Sequence, residues 1–315
     1  MERIIRSVVC GIAIACAGPI AARAEVAVSA TIAVGAPVET ATFHERLAPY
    51  GRWEHSPAYG EVWVPAGVRA GWRPYSDGRW VLTEHGWTFV SDDPWGWAAW
   101  HYGNWALTDA GWVWVPGRVW APAWVSWRYG GGYACWAPAP PLRYGVAVYG
   151  YGSPAWVVVR QEHFTQPIAT VVVSPSVAVN YVQRARPLAQ PVVAGGVGVN
   201  PGPQPHAVAV ATGHPVTPVA ASAVVGHGTA AIAKAPPAPA APRAVASAMA
   251  ERGWRPAAPV QRQQNQIARH QQNAQARQQG QQQRQERQQQ RRMQQGSPAR
   301  AAHPAKKGRG RGRGR

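Results

Sequence analysis

The chain has 315 residues, a formal net charge of +18 and an aromatic complement dominated by tryptophan, with 17 Trp against three Phe. No stretch beyond the N-terminal region reaches the ~20 uninterrupted apolar residues of a membrane-spanning helix. The charge is unevenly placed: seven arginines balance seven acids between 51 and 145, whereas residues 251–315 hold fourteen Arg and two Lys against Glu251 and Glu286. The basic balance is therefore a property of the C-terminal tail and says little about the folded part.

At the N-terminus, Arg3 and Arg6 precede an apolar run from Val8 to Ala17, and Gly18-Pro19 interrupts it. Ala22-Arg23-Ala24 then places small residues where a signal peptidase reads, so residues 1–24 read as a secretory signal. The mature protein is expected in the periplasm or associated with the outer membrane or cell surface. A lipoprotein reading at Cys16 lacks the leucine expected within the preceding Ala13-Ile14-Ala15. Signal removal takes Cys10 and Cys16 with it and leaves Cys135 alone, either buried or paired between chains.

Fifteen of the tryptophans lie between Trp53 and Trp136 and recur with glycine. Gly60-Glu61-Val62-Trp63, Gly86-Trp87-Thr88-Phe89 and Gly111-Trp112-Val113-Trp114 align at steps of 26 and 25 residues. A second phase, Gly51-Arg52-Trp53, Gly78-Arg79-Trp80 and Gly103-Asn104-Trp105, steps by 27 and 25. Such a period marks tandem supersecondary units. Trp and Val alternate within each segment, and Asp77-Gly78, Asp92-Asp93-Pro94 and Pro116-Gly117 supply turns between them, so each unit reads as a β-hairpin. Three hairpins and a degenerate fourth around Trp124–Trp136 predict an all-β meander or small open barrel. Trp63, Phe89, Trp114, Trp53, Trp80 and Trp105 are its expected core, because one hairpin alone is marginal and the repeats must bury one another. Strand-like runs at 155–159 and 169–173 close the domain, which spans 42–183.

Residues 184–260 are rich in Pro, Ala, Val and Gly and are predicted to be a disordered, extended linker, in which Trp254 stands isolated. In the 261–315 tail, Gln takes 18 of the 35 positions from 261 to 295, and the chain ends in alternating Gly and Arg. Transient helix in a disordered segment is expected, because Ile267 and Met293 are too few for a buried stripe. Arg284, Arg287, Arg291, Arg292, Arg309, Arg311, Arg313 and Arg315 are the candidate polyanion contacts, acting by counterion release without fixed stereochemistry. For an exported tail the polyanions are lipopolysaccharide, acidic polysaccharide or phospholipid heads; nucleic acid is the alternative if the chain is not exported.

Candidate acids for catalysis are Asp92, Asp93 and Glu84, and candidate bases are His55, His85 and His101, but nothing in their spacing sets a catalytic geometry. No metal-ligand spacing and no cofactor motif is present, and no motif places a base near Cys135.

The strings LAPYGRW (47–53), YGEVWVP (59–65), GWRPYSDGRWV (71–81), SDDPWGWAAWHYGNW (91–105) and WAPAWVSWRYGGGYACWAPAPP (120–141) resemble an uncharacterised family of exported bacterial proteins with Trp/Gly-rich repeats. The resemblance implies export and a β-rich domain, and no activity or catalytic residue. Cys135 departs from it, where a small residue is expected. Together these features read as a non-enzymatic cell-envelope protein that binds or scaffolds; the alternative is a carbohydrate-active or other hydrolytic enzyme of the envelope.

Overall fold

A computed structural model describes residues 33–141 and 149–295 of the chain. The expected signal 1–24 and the terminal Arg309, Arg311, Arg313 and Arg315 lie outside the described residues.

Helix α1 (Thr40–Leu47) leads into four antiparallel hairpins. They are β1 (Gly51–Ser56) with β2 (Gly60–Pro65), and β3 (Arg79–Thr83) with β4 (Gly86–Val90); then, after the one-turn α2 (Gly96–Ala99), β5 (Tyr102–Thr108) with β6 (Gly111–Trp120), and β7 (Val125–Gly130) with β8 (Tyr133–Pro138). Repeated chemistry closes repeated turns. Thr83 Oγ1 donates to Gly86 O at 3.2 Å, and Thr108 Oγ1 donates to Gly111 O at 2.9 Å. The glycine that opens a unit makes room for a ring of the partner strand: a Cβ at Gly51 would lie 2.6 Å from Trp63, and one at Gly78 would lie 2.6 Å from Phe89.

The hairpins do not continue as a meander, and among the described residues no barrel closes. The first and third share a sheet of order β1-β2-β6-β5, whereas β3-β4 is a separate two-stranded ribbon. β9 (Val157–Arg160) and β10 (Arg186–Pro187) extend the fourth into β10-β7-β8-β9. The second hairpin stays apart, with edge groups taken by segments outside the other sheets: Val219 N–H donates to Leu82 O at 2.9 Å, and Phe89 N–H donates to Pro122 O at 3.1 Å. All five residues of β4 are buried, with Phe89 against Tyr75 and Trp100, and Trp87 against Phe164. In place of a strand, 169–173 contributes the short α3 (Ile168–Val171). α4 (Pro175–Arg184) follows and packs Ala178 and Val182 onto the β8–β9 region around Cys135.

A row of tryptophans crosses the first sheet. Trp53 faces Trp63, Trp63 faces Trp114 and Trp114 faces Trp105 on successive strands. Phe43 of α1 caps the row edge-on to Trp114 at 5.1 Å. From Trp105 the aromatic packing runs through Trp100 and Phe89 to Trp80, and from Trp80 to Trp127 and Trp136 of the third sheet. Trp63, Phe89, Trp114, Trp80 and Trp105 are all buried, while Trp53 is half-buried beneath the His44 ring at 3.8 Å.

Residues 184–260, expected as a disordered linker, are instead laid over the hairpins. β11 (Val192–Ala194), β12 (Val197–Val199), α5 (Pro205–Thr212), α6 (Ala221–Val224) and α7 (Arg243–Glu251) follow in order. The prolines do prevent long elements, but the segment's polar groups find partners on the β domain. Asn200 Nδ2 donates to Ala123 O at 3.0 Å and Val125 O at 2.8 Å, and Trp87 Nε1 donates to Pro203 O at 2.8 Å. Val219 bridges Thr83 on one side and Pro237 on the other. Trp254 is also buried. α8 (Val260–Gln295) is one continuous helix where transient helix was expected.

Candidate polyanion interface

The make-up of α8 dictates how it can pack. Its few apolar side chains allow one small anchor: Gln263 and Ile267 are buried, and the Gln263 amide donates to Val216 O at 3.0 Å while accepting Val216 N–H at 2.9 Å. From 268 to 293 no residue is buried. At 1.5 Å per residue this is about 39 Å of helix without a packed face. Among the described residues no helix is long and apolar enough to cross a membrane.

All seven arginines of α8 are exposed. Arg262, Arg269, Arg277, Arg284 and Arg291 are separated by 7, 8, 7 and 7 residues, each about two turns at ~3.6 residues per turn. With Arg287 they fall within about 80° of the helix circumference, while Arg292 sits on the neighbouring face. The one acid of the helix, Glu286, projects away from this face. Arg284, Arg287 and Arg291 of the expected set thus join Arg262, Arg269 and Arg277, which composition alone passes over. The step of seven and eight residues is the signal that finds them.

Most of the candidate acids and bases take part in contacts within the fold. Glu84 Oε2 accepts Ala221 N–H at 2.9 Å at the start of α6. Asp92 accepts both the N–H and the hydroxyl of Thr229, at 2.7 and 2.8 Å. Asp93 lies in the turn, its N–H donating to Ser91 Oγ at 3.2 Å, and burial raises its carboxyl pKa. His85 packs edge-on to Trp120 at 4.9 Å and His101 stacks on the same ring at 5.5 Å. Burial lowers the pKa of both, His101 to about 4, while Glu84 partly opposes the shift at His85. His55 is exposed on β1, away from them. Cys135 is a free, fully buried thiol whose pKa burial pushes up to about 12, far from a reactive thiolate.

Each of the 17 tryptophans is buried or half-buried. Several indole N–H groups find acceptors inside, while those of Trp53, Trp80, Trp120, Trp127 and Trp254 are buried without one. Trp63 donates to Leu47 O at 3.2 Å, Trp105 to Ala99 O at 2.9 Å, Trp114 to Tyr102 O at 2.6 Å and Trp136 to Tyr75 O at 2.9 Å. The ring fills the core while its N–H ties down an irregular carbonyl, which accounts for tryptophan where phenylalanine would leave that carbonyl unpaired.

Residues 44–143 match a family of unknown function, DUF6600. The match takes in all four hairpins and stops before α4 and the C-terminal segment. No curated protein and no solved structure matches the chain.

Proposed function

We propose that this is a non-enzymatic exported protein of the cell envelope, in which the aromatic hairpin domain is a rigid platform and α8 presents arginines to anionic envelope polymers or lipid heads. The observation that carries the reading is the arginine face of α8, six guanidinium groups along one side of a helix that has no buried residue from 268 to 293. The engagement of Glu84, Asp92, His85 and His101 in structural contacts speaks against the hydrolase alternative. The +14 of residues 251–315 supplies the attraction, and release of counterions makes it fall with salt. The signal-like residues 1–24 favour lipopolysaccharide, acidic polysaccharide or phospholipid over nucleic acid as the partner.

The test is retention on heparin, lipopolysaccharide and anionic vesicles across a salt series, comparing the full chain with one lacking 268–315. Loss of retention in the shortened chain supports the reading, and unchanged retention overturns it. Cell fractionation tests the location: recovery of the protein with an intact Met1 in the cytoplasm removes the envelope assignment.

A further inference from the structure

We propose that the cleft between the 149–156 loop and the start of α4 binds the anionic group of a single acidic sugar unit, held by Arg73 with the ring against Tyr151. This site is independent of α8 and would give the protein a second, stereospecific mode of recognition. Arg73 is 8% exposed and lines a cleft of about 280 Å³. Among the described residues no carboxylate pairs with it, and its guanidinium makes one long hydrogen bond, from Nη1 to Pro154 O at 3.4 Å. A guanidinium has five N–H donors, so most of its capacity is left for an occupant of the cleft. Burial lowers its pKa, and the charge of Arg69 acts in the same direction.

A buried guanidinium with no paired carboxylate among the described residues is poorly explained by folding, because an uncompensated buried charge destabilises. An anionic ligand resolves it, and a carboxylate or phosphate matches the planar fork. The remaining lining narrows the class. Ser153 and Ser176 bring hydroxyls, Trp156 forms an apolar wall, and Tyr151 is half exposed at the rim. Tyr151 also lines the adjoining cleft, where the Arg128 guanidinium lies 4.9 Å from its ring centroid. Arg128 itself donates to Val182 O at 2.7 Å and Ala185 O at 2.6 Å, so the Tyr151 ring lies against a fixed cation. An aromatic face, two hydroxyls and one cation, in a space at the small end of ligand pockets, suit one hydroxylated ring bearing one negative group.

The test uses the full-length chain and titrates glucuronate, galacturonate, glucose 1-phosphate and neutral glucose by calorimetry, with saturation-transfer NMR to locate the contact. Saturable binding of the acidic sugars, at least tenfold tighter than glucose, is expected. Preference between the uronates and the phosphate tells which anion the fork takes. Arg73→Gln and Tyr151→Ala should each weaken binding at least tenfold; Tyr151 is exposed, so its variant folds even if Arg73→Gln does not. Changing Arg269, Arg277 and Arg284 to Gln should leave sugar binding intact while reducing heparin retention, which separates failure of this site from failure of the helix. Equal binding of glucose and the acidic sugars, or full binding by Tyr151→Ala together with a folded Arg73→Gln, overturns the proposal.

Discussion

Asp92 and Thr229 stand 137 residues apart in sequence, yet one carboxylate accepts both the backbone N–H and the hydroxyl of the threonine. With Glu84 on Ala221 N–H, it pins the 219–235 segment to the second hairpin. Asp92→Ala and Glu84→Ala should therefore loosen that segment. Each loses about 1–3 kcal/mol of hydrogen bonding to a charged group, less at the exposed Asp92 than at the buried Glu84 carboxylate. Limited proteolysis checks this: new cleavage between 219 and 235, with little change in overall helix and strand content, is expected.

Trp114→Ala removes the centre of the four-tryptophan row and strands Tyr102 O. A loss of about 3–5 kcal/mol is expected, enough to unfold much of the population. Trp53→Ala, at the half-buried end of the same row, should cost less. Trp254→Ala should also be destabilising, since that ring is buried and not isolated in a linker. Urea midpoints of the three variants give the order.

Ending the chain after Arg186 should lower the unfolding midpoint, because Trp87 Nε1 loses Pro203 O and the Ala123 and Val125 carbonyls lose Asn200. Ending it after Ala268 should leave the midpoint where it is, since no residue from 268 to 293 is buried. Thermal unfolding of the two truncations decides whether 187–260 belongs to the cooperative unit.

Exchanging arginine and glutamine within α8 tests its face at constant composition. Arg269→Gln with Gln271→Arg, Arg277→Gln with Gln275→Arg, and Arg284→Gln with Gln282→Arg move three charges to the opposite side. Heparin elution should come at lower salt than for the parent chain. Identical elution means that the tail acts as diffuse charge.

His101 predicts a pH dependence. Its folded pKa of about 4 lies below the ~6.5 of an unfolded histidine, so as pH falls the unfolded chain takes up the proton first. Stability from the neutral ring is complete above about pH 6.5 and is lost progressively between there and pH 4, by on the order of 3 kcal/mol. His85, shifted in the same direction by burial, adds to this loss. Urea midpoints from pH 8 to pH 4 should fall, and His101→Asn should flatten the decline.

The hairpins were legible in the amino-acid sequence because they are local. The Gly-Arg-Trp phase, the Trp/Val alternation and the turn residues act within about 15 residues, and steric room at Gly51 and Gly78 is set by the ring across the same hairpin. The arginine steps of α8 are equally local, since helix periodicity alone places them on one face. Which hairpins share a sheet was not legible. Trp63 meets Trp114 across β2 and β6, while Leu82 O and Phe89 N–H of the second hairpin bond to Val219 and Pro122, partners distant in the chain. Nor does composition tell that a Pro/Ala/Val segment will be ordered. Long-range hydrogen bonds of Asn200, Val219, Ala221 and Thr229 to groups more than 70 residues away hold it, and through them Glu84 and Asp92 act as anchors. Arg73 is likewise only an arginine in a row of residues until the fold surrounds it with apolar walls and supplies no acid, because burial and charge pairing exist only in three dimensions.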